Sequence, residues 1–365
     1  MRLTEGAMGA SGRRYWYQTA VAAGNRYLHP RYWFDRDSLD WINVAKGIGI
    51  VLVVIGHFHP SSSPDYWDST IAVIYSFHMS LFFTLSGYLY VHNKYPYKEF
   101  VEKKVKRLVY PFFSIALIYL IIKWLAARFD HVNYPVDAAS VAALLYNPIA
   151  SYVPLLWFVQ ALFIIFLVYP PLRRVLNGIA ILCLFIVLNA VFGSKWPLIG
   201  RAMDSMPFFA LGVVLRESRV VLVSTAGRRW SYPGAFGALF VAGCVMAFAD
   251  GGRLTHDYLM QVFLGAAGSM MVMSLSNAIC DSKKRGTARV LFHIGYYSMS
   301  IYLFHTLFES SARGVILHAS HDASIPFLLV VLISVACGVI FPMALEKYGL
   351  RKWRMTRVAL LGMAS

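Results

Sequence analysis

The sequence predicts an all-α fold, a polytopic membrane helix bundle of about ten transmembrane helices with both termini in the cytoplasm. Three observations predict it: the apolar composition, the spacing of the apolar runs, and the alternation of basic residues between successive loops. The chain has 365 residues, of which 58% are hydrophobic, 15% aromatic and 14% charged. Its mean hydropathy is +0.56. A soluble domain is about 45–50% apolar and about 25% charged. The composition therefore excludes a disordered or fibrous chain and points away from an ordinary soluble enzyme.

A bilayer core needs about 20 mostly apolar residues per helix. Candidate runs fall at 41–58, 71–92, 108–127, 155–169, 179–192, 206–215, 233–249, 258–279, 290–308 and 325–345. The run at 206–215 is short, and either a re-entrant segment or an earlier start accommodates it. With the N-terminus inside, the inner segments are 1–40, 93–107, 170–178, 216–232, 280–289 and 346–365. Of the 34 Lys and Arg residues, only Arg128, Lys195, Arg201, Arg253 and Arg313 fall in outer loops, and Lys46 and Lys123 fall within spans. All the others lie in inner segments, as the positive-inside rule requires. The net charge of +16 is thus topogenic, and no nucleic-acid partner is expected.

Three regions follow: a basic, aromatic N-terminal segment (1–38), a transmembrane domain (39–345) and a basic cytoplasmic tail (346–365). The first carries Tyr15, Trp16, Tyr17, Tyr27, Tyr32, Trp33 and Phe34 among its arginines. That pattern suits a segment lying in the membrane interface and equally a basic tail without fixed structure. It lacks the apolar core of a signal peptide, so no cleavage is expected. Cys183, Cys244, Cys280 and Cys337 form no CxxC pair. They read as buried structural thiols, with no disulfide and no metal.

The first span holds the strongest chemical signal. Ionisable residues inside a span are costly and are functional candidates by default. Lys46 and His57 are eleven residues apart, close to three whole helical turns, so they share a face roughly 16 Å apart along the axis. Snorkelling to the headgroups is the competing reading for Lys46, and a hydrogen-bonded structural histidine the competing reading for His57. Gly47, Gly49 and Gly56 flank the pair and permit either close helix approach or room for a ligand.

The second span adds His78, Ser86, Gly87 and Tyr88. The inner loop after it carries Lys103, Lys104, Lys106 and Arg107. That loop is a positive-inside anchor, and also a candidate phosphate-binding patch, with Lys103 and Arg107 on one side at helical spacing. Trp157 and Gln160 open the fourth span, where an interfacial aromatic belt alone explains Trp157. The ninth contains Ser298, Ser300, Tyr302 and His305, followed by Glu309. His305 and Glu309 are i,i+4 neighbours, read as two polar residues at a helix end in preference to a functional pair.

Together these blocks resemble the integral-membrane acyltransferase-3 family, most nearly its fucose 4-O-acetylase-like branch. Asp40-Trp41-Ile42 leading to Lys46 and His57 resembles the family's first-helix signature of a basic residue, ten residues and a histidine. Phe77-His78-Met79 through Phe83 and Ser86-Gly87-Tyr88 resembles its second-helix block, with Met79-Ser80 where Met-Pro is expected. Lys106-Arg107 to Tyr110-Pro111, Leu156-Trp157-Phe158, and Ile294-Gly295 through Ser298, Ile301-Tyr302-Leu303 and His305 resemble the later blocks. The match is collinear over roughly residues 38–345.

The resemblance implies an O-acyltransferase of the bacterial inner membrane, using acetyl-CoA or another acyl-CoA as donor and no metal. The acceptor is a hydroxyl of a surface polysaccharide, lipopolysaccharide or lipid-linked sugar. In that picture Lys46, Lys103, Arg107 and Trp157 hold the CoA donor and His57 is the general base. His78 orients the acceptor or relays a proton. Ser86, Tyr88, Gln160 and Tyr302 are candidate oxyanion donors. A covalent acyl-histidine is a second route. The carbohydrate acceptor and membrane lipid are the expected partners, and a homo-oligomer is allowed.

Three other readings compete. A transporter or flippase of a glycolipid or small anion fits the spans and histidines, although no paired broken helices or inverted repeat are evident in the sequence. A metal site would draw on His57, His59, His78 and His305, without any HExxH-type spacing. A purely structural membrane subunit is disfavoured by the charges within the first span.

Overall fold

The first apolar run becomes α1, Asp40–His57, an unbroken helix. It has no proline, and Asp40 in its first turn complements the helix dipole. The structure, a computed structural model, describes residues 40–60, 63–128, 134–193, 199–218, 230–249, 257–282, 285–319 and 325–362. The basic aromatic segment 1–38 lies outside the described residues.

The second run splits into α2, Asp65–Tyr75, and α3, His78–Leu89. Phe77 leaves helical geometry with φ −143° and ψ −19°. Side chains take up the carbonyls this frees. Ser76 Oγ donates to Val73 O at 2.7 Å and His78 Nδ1 to Ile74 O at 2.8 Å. The third run is α4, Tyr97–Lys104, then a π-helical turn, Val105–Val109, then α5, Tyr110–Ala126. α6, Ala138–Tyr146, starts at a capping box in which Asp137 accepts from Ser140 N at 2.6 Å. That bond holds the Asp137 carboxyl below its ordinary range.

The remaining elements are α7 (Trp157–Val175), α8 (Gly178–Phe192), α9 (Gly200–Glu217), α10 (Ser231–Ala249) and α11 (Tyr258–Cys280). They are followed by α12 (Arg285–Tyr296), α13 (Ser298–Ala319), α14 (Phe327–Leu345) with a π turn (Glu346–Leu350), and α15 (Arg354–Leu361). Among the described residues there is no strand. The chain is an all-α polytopic bundle.

Among the described residues, seven helical stretches are long and apolar enough to cross a membrane. They correspond to the runs beginning at 41, 71, 108, 155, 233, 258 and 325. The other three runs differ for local reasons. The run at 179–192 is a shorter apolar helix. The run at 206–215 is the apolar middle of the longer α9, whose ends carry Arg201, Asp204, Arg216 and Glu217. The run at 290–308 is interrupted at Tyr297, between α12 and α13. Two helices are thus broken where the sequence showed no break, at Ser76–Phe77 and at Tyr297.

α1 is the hub of the bundle, touched by α2, α3, α11, α12, α13 and α14. Glycine makes its closest crossing. A Cβ on Gly47 would land on the Leu291 carbonyl oxygen of α12, and one on Gly295 would land on Asn43 O of α1. α3 and α9 cross in the same way at Gly87 and Gly212. Backbones this close gain van der Waals contact that larger residues would block. Outward faces are apolar, with Leu117, Val187, Val245 and Leu332 all more than half exposed, which suits lipid. The four cysteines are free. They are not core thiols, because Cys183 is exposed and the other three are half-buried.

The break at Tyr297 is braced by a charged cluster. Glu346, 2% exposed, accepts from Ser300 Oγ. It also accepts from Arg351 Nε at 2.8 Å and Nη2 at 2.5 Å. Arg351 Nη1 donates to Tyr296 OH at 2.8 Å, and its guanidinium lies over the Tyr296 and Tyr297 rings.

Candidate active site

α1 carries the two residues that anchor the site. Because it is unbroken from Asp40 to His57, Lys46 and His57 share a face three turns apart. Tyr75 and His78 flank the break between α2 and α3, and both lie at the His57 end. Tyr88 packs edge-on against Trp41 with ring centroids 5.2 Å apart, which places the far end of α3 at the Lys46 end.

At the His57 end, four rings form a continuous group. His57 meets His305 of α13 edge to face at 4.9 Å, and Tyr75 at 6.3 Å. Tyr75 stacks on His78 at 5.0 Å. Tyr75 OH donates to Gly56 O at 2.7 Å and so accepts from His59 Nε2 at 3.2 Å.

The three clustered histidines are wired alike. His57 Nδ1 bonds Val53 O at 2.8 Å, His78 Nδ1 bonds Ile74 O at 2.8 Å, and His305 Nδ1 bonds Tyr302 O at 2.9 Å. A carbonyl only accepts, so each ring proton sits on Nδ1 and each neutral Nε2 keeps a basic lone pair. His78 and His305 are buried at 4% and 0% exposure. His57 is half-buried. This combination of fixed tautomer, free lone pair and partial access is what a general base requires.

Two residues that the sequence reading set aside belong to this cluster. His305 Nε2 and Glu309 Oε2 are buried without a partner, each at a cost of about 1–3 kcal/mol. Glu309 is not at a helix end, since α13 continues to Ala319. The spacing of the pair was visible in the sequence, but the helix length was not. Tyr75 gave no signal beyond aromatic character.

The Lys46 end is basic. Lys46 is half-buried and within electrostatic reach of Arg107. Lys104 feels Arg107 too, and lies 3.5 Å over the Phe166 ring. Among the described residues neither Lys46 nor Arg107 has a carboxylate partner. Lys103 is turned elsewhere: it bonds Glu99 Oε1 at 2.7 Å and lies 3.3 Å over Tyr95. Arg107 lies in the π turn at 105–109 that follows the helix carrying Lys103. A shallow hollow lined by residues including Tyr90, Lys94, Tyr95 and Arg174 opens nearby, with Lys103 over the ring of Tyr95.

The other candidates are spread out. Ser86 and Tyr88 are half-buried and lie eight and ten residues beyond His78, roughly 12–15 Å along α3. Tyr302 OH donates to Leu155 O, and Gln160 Nε2 donates to Leu145 O at 2.6 Å. Trp157 packs against Phe83 at 6.2 Å, with Arg201 5.9 Å above its ring. Among the described residues no group of three His, Cys, Asp or Glu side chains is arranged to hold a metal ion.

Comparison with known proteins adds the chemistry class. Searches of curated proteins and of solved structures gave no match. The family model described as an acyltransferase domain matches residues 39–347. That match spans most of the chain and contains Lys46, the basic loop, the histidine cluster and Glu346. The protein is thus an integral membrane acyltransferase, and the chain belongs to the acyltransferase-3 family.

Proposed function

We propose that this acyltransferase moves an acyl group, acetyl foremost, from cytoplasmic acyl-CoA to a hydroxyl of a cell-surface sugar, polysaccharide or lipid-linked glycan. The proposed setting, taken from the family resemblance, is a bacterial inner membrane, and the concentration of Lys and Arg in alternate loops supports placing the Lys46 end inside. The fucose 4-O-acetylase-like motifs favour a sugar acceptor.

One observation carries the reading: His57 presents a neutral Nε2 on the same helix face as Lys46. Lys46 and Arg107, two neighbouring cations without a carboxylate, suit the phosphates of CoA. The pantetheine arm is of the same order of length as the Lys46–His57 separation of about 16 Å. In the proposed step, His57 Nε2 removes the proton of the acceptor hydroxyl as its oxygen attacks the thioester carbonyl. The imidazolium so formed stabilises the developing oxyanion. Collapse forms the ester and expels CoA thiolate, which takes the proton back from His57.

The broken helices at Ser76–Phe77 and Tyr297 are the observation that favours the second reading, transport or flipping of a glycolipid or small anion. Both breaks are short. Leu81 N still bonds Phe77 O at 3.0 Å, and Ile301 N bonds Tyr297 O at 3.0 Å. They are kinks rather than paired half-helices around a midplane site.

The test is release of free CoA thiol from acetyl-CoA by purified protein across a glycan panel. Acceptor-dependent release supports acyl transfer. Glycan binding without acetyl-CoA binding or thiol release favours the transport reading.

A further inference from the structure

Three polar atoms on α13 and α14 are buried without a partner: His305 Nε2, Glu309 Oε2 and Ser334 Oγ. Their residues are 0%, 3% and 0% exposed. They belong to one region. His305 and Glu309 stand one turn apart on α13. Gly338 of α14 lies against both, since a Cβ there would be 3.4 Å from Glu309 Cβ and 3.6 Å from His305 O. Ser334 is one turn from Gly338 on the same helix face. The His57 ring, 4.9 Å from that of His305, completes the group.

His305 Nε2 accepts, because its ring proton is on Nδ1. A glutamate carboxyl accepts, and donates as well when it is protonated, and a serine hydroxyl does either. The clearest need is at His305 Nε2, a buried acceptor without a donor. A metal is not the match, since no ligating group of three is present among the described residues. A further cation is not needed either, because Glu309 lies within reach of the Arg313 charge. Neutral O–H groups are the donors that fit.

We propose that His305 and Glu309 form a hydroxyl-recognition subsite whose ligand is a polyol with neighbouring hydroxyls. One hydroxyl sits at His57 Nε2 and is acylated, while the next donates to His305 Nε2 and its oxygen faces the Glu309 carboxyl. The inference rests on the acyl-transfer reading and narrows its acceptor to a sugar or alditol whose reacting hydroxyl has an adjacent one. A monohydric alcohol would leave His305 Nε2 unmet, and a site built to bond a hydroxyl discriminates strongly against an analogue lacking it.

The test uses the full chain in detergent, acetyl-CoA, and methyl glycosides paired with their mono-deoxy analogues. In the wild type, removal of the hydroxyl next to the acylated one raises KM by about tenfold or more. In Glu309→Gln and His305→Gln that penalty falls to about threefold or less, with acetyl-CoA affinity unchanged. A merely structural role would scale all acceptors together and keep the penalty. A wild type without a deoxy penalty, or variants that retain it in full, overturn the inference while leaving acyl transfer standing. Where no methyl glycoside turns over, saturable binding read by tryptophan fluorescence replaces KM, and absence of binding also overturns it. Failure of acetyl-CoA to bind the wild type would bring down the underlying reading itself.

Discussion

His57 and His305 meet edge to face, with ring centroids 4.9 Å apart and planes at 80°. Each is tied by Nδ1 to a carbonyl of its own helix. α1 and α13 thus bring two basic lone pairs to one place, and only His57 has partial access from outside.

Protonation should switch the base off. His57 acts only while neutral, so kcat/KM should fall toward acid pH as the imidazole gains its proton and should level off above it. His57→Gln should lose that acid limb along with its rate. A pH profile of both proteins checks this, with His59, His78, His305 and Tyr75 left intact as the titratable neighbours.

The Lys46–Arg107 pair should read out as donor affinity. Lys46→Met and Arg107→Gln should each raise the KM for acetyl-CoA about 10–100-fold, the worth of a charged hydrogen bond, with a smaller effect on kcat. Removing a phosphate from the donor should cost the wild type more than either variant. Kinetics with 3′-dephospho-acetyl-CoA measure this directly.

Tyr75 holds the turn after α1 by donating to Gly56 O and accepting from His59. Tyr75→Phe removes both bonds and keeps the ring stack on His78. A rate loss of about tenfold or less is expected, on the scale of one or two hydrogen bonds. Acyl-CoA affinity should stay unchanged, as an isotherm would show.

The Glu346–Arg351 brace should matter to stability. Arg351→Met leaves a carboxylate 3% exposed at its side chain without its cation, and breaking a buried pair costs about 3–5 kcal/mol. Gly47→Ala should also destabilise, by about 1–3 kcal/mol, because α12 must move away from α1. Thermal unfolding in detergent would rank both below the wild type.

Much of this architecture was legible in the chain. Apolar runs gave the seven long apolar stretches because burial in lipid demands length and composition alone. The kinks were hidden, because Phe77 and Tyr297 are ordinary helix residues whose break arises from side chains capping carbonyls and from packing around them. The 11-residue spacing of Lys46 and His57 is a local property of one helix, so it could be read directly. Glu309 escaped because its burial depends on α13 running on to Ala319 and on α14 closing over it at Gly338. The ion pair of Lys103 with Glu99 is an i,i+4 pair within α4, a local spacing that the sequence displays.

The central claim is that His57 removes the acceptor proton during acyl transfer. Its most direct test is acceptor-dependent release of CoA thiol from acetyl-CoA by wild-type and His57→Ala protein of equal thermal stability. The account predicts a loss of about 10²–10⁴-fold in kcat with acetyl-CoA affinity retained. Normal turnover by His57→Ala would contradict it.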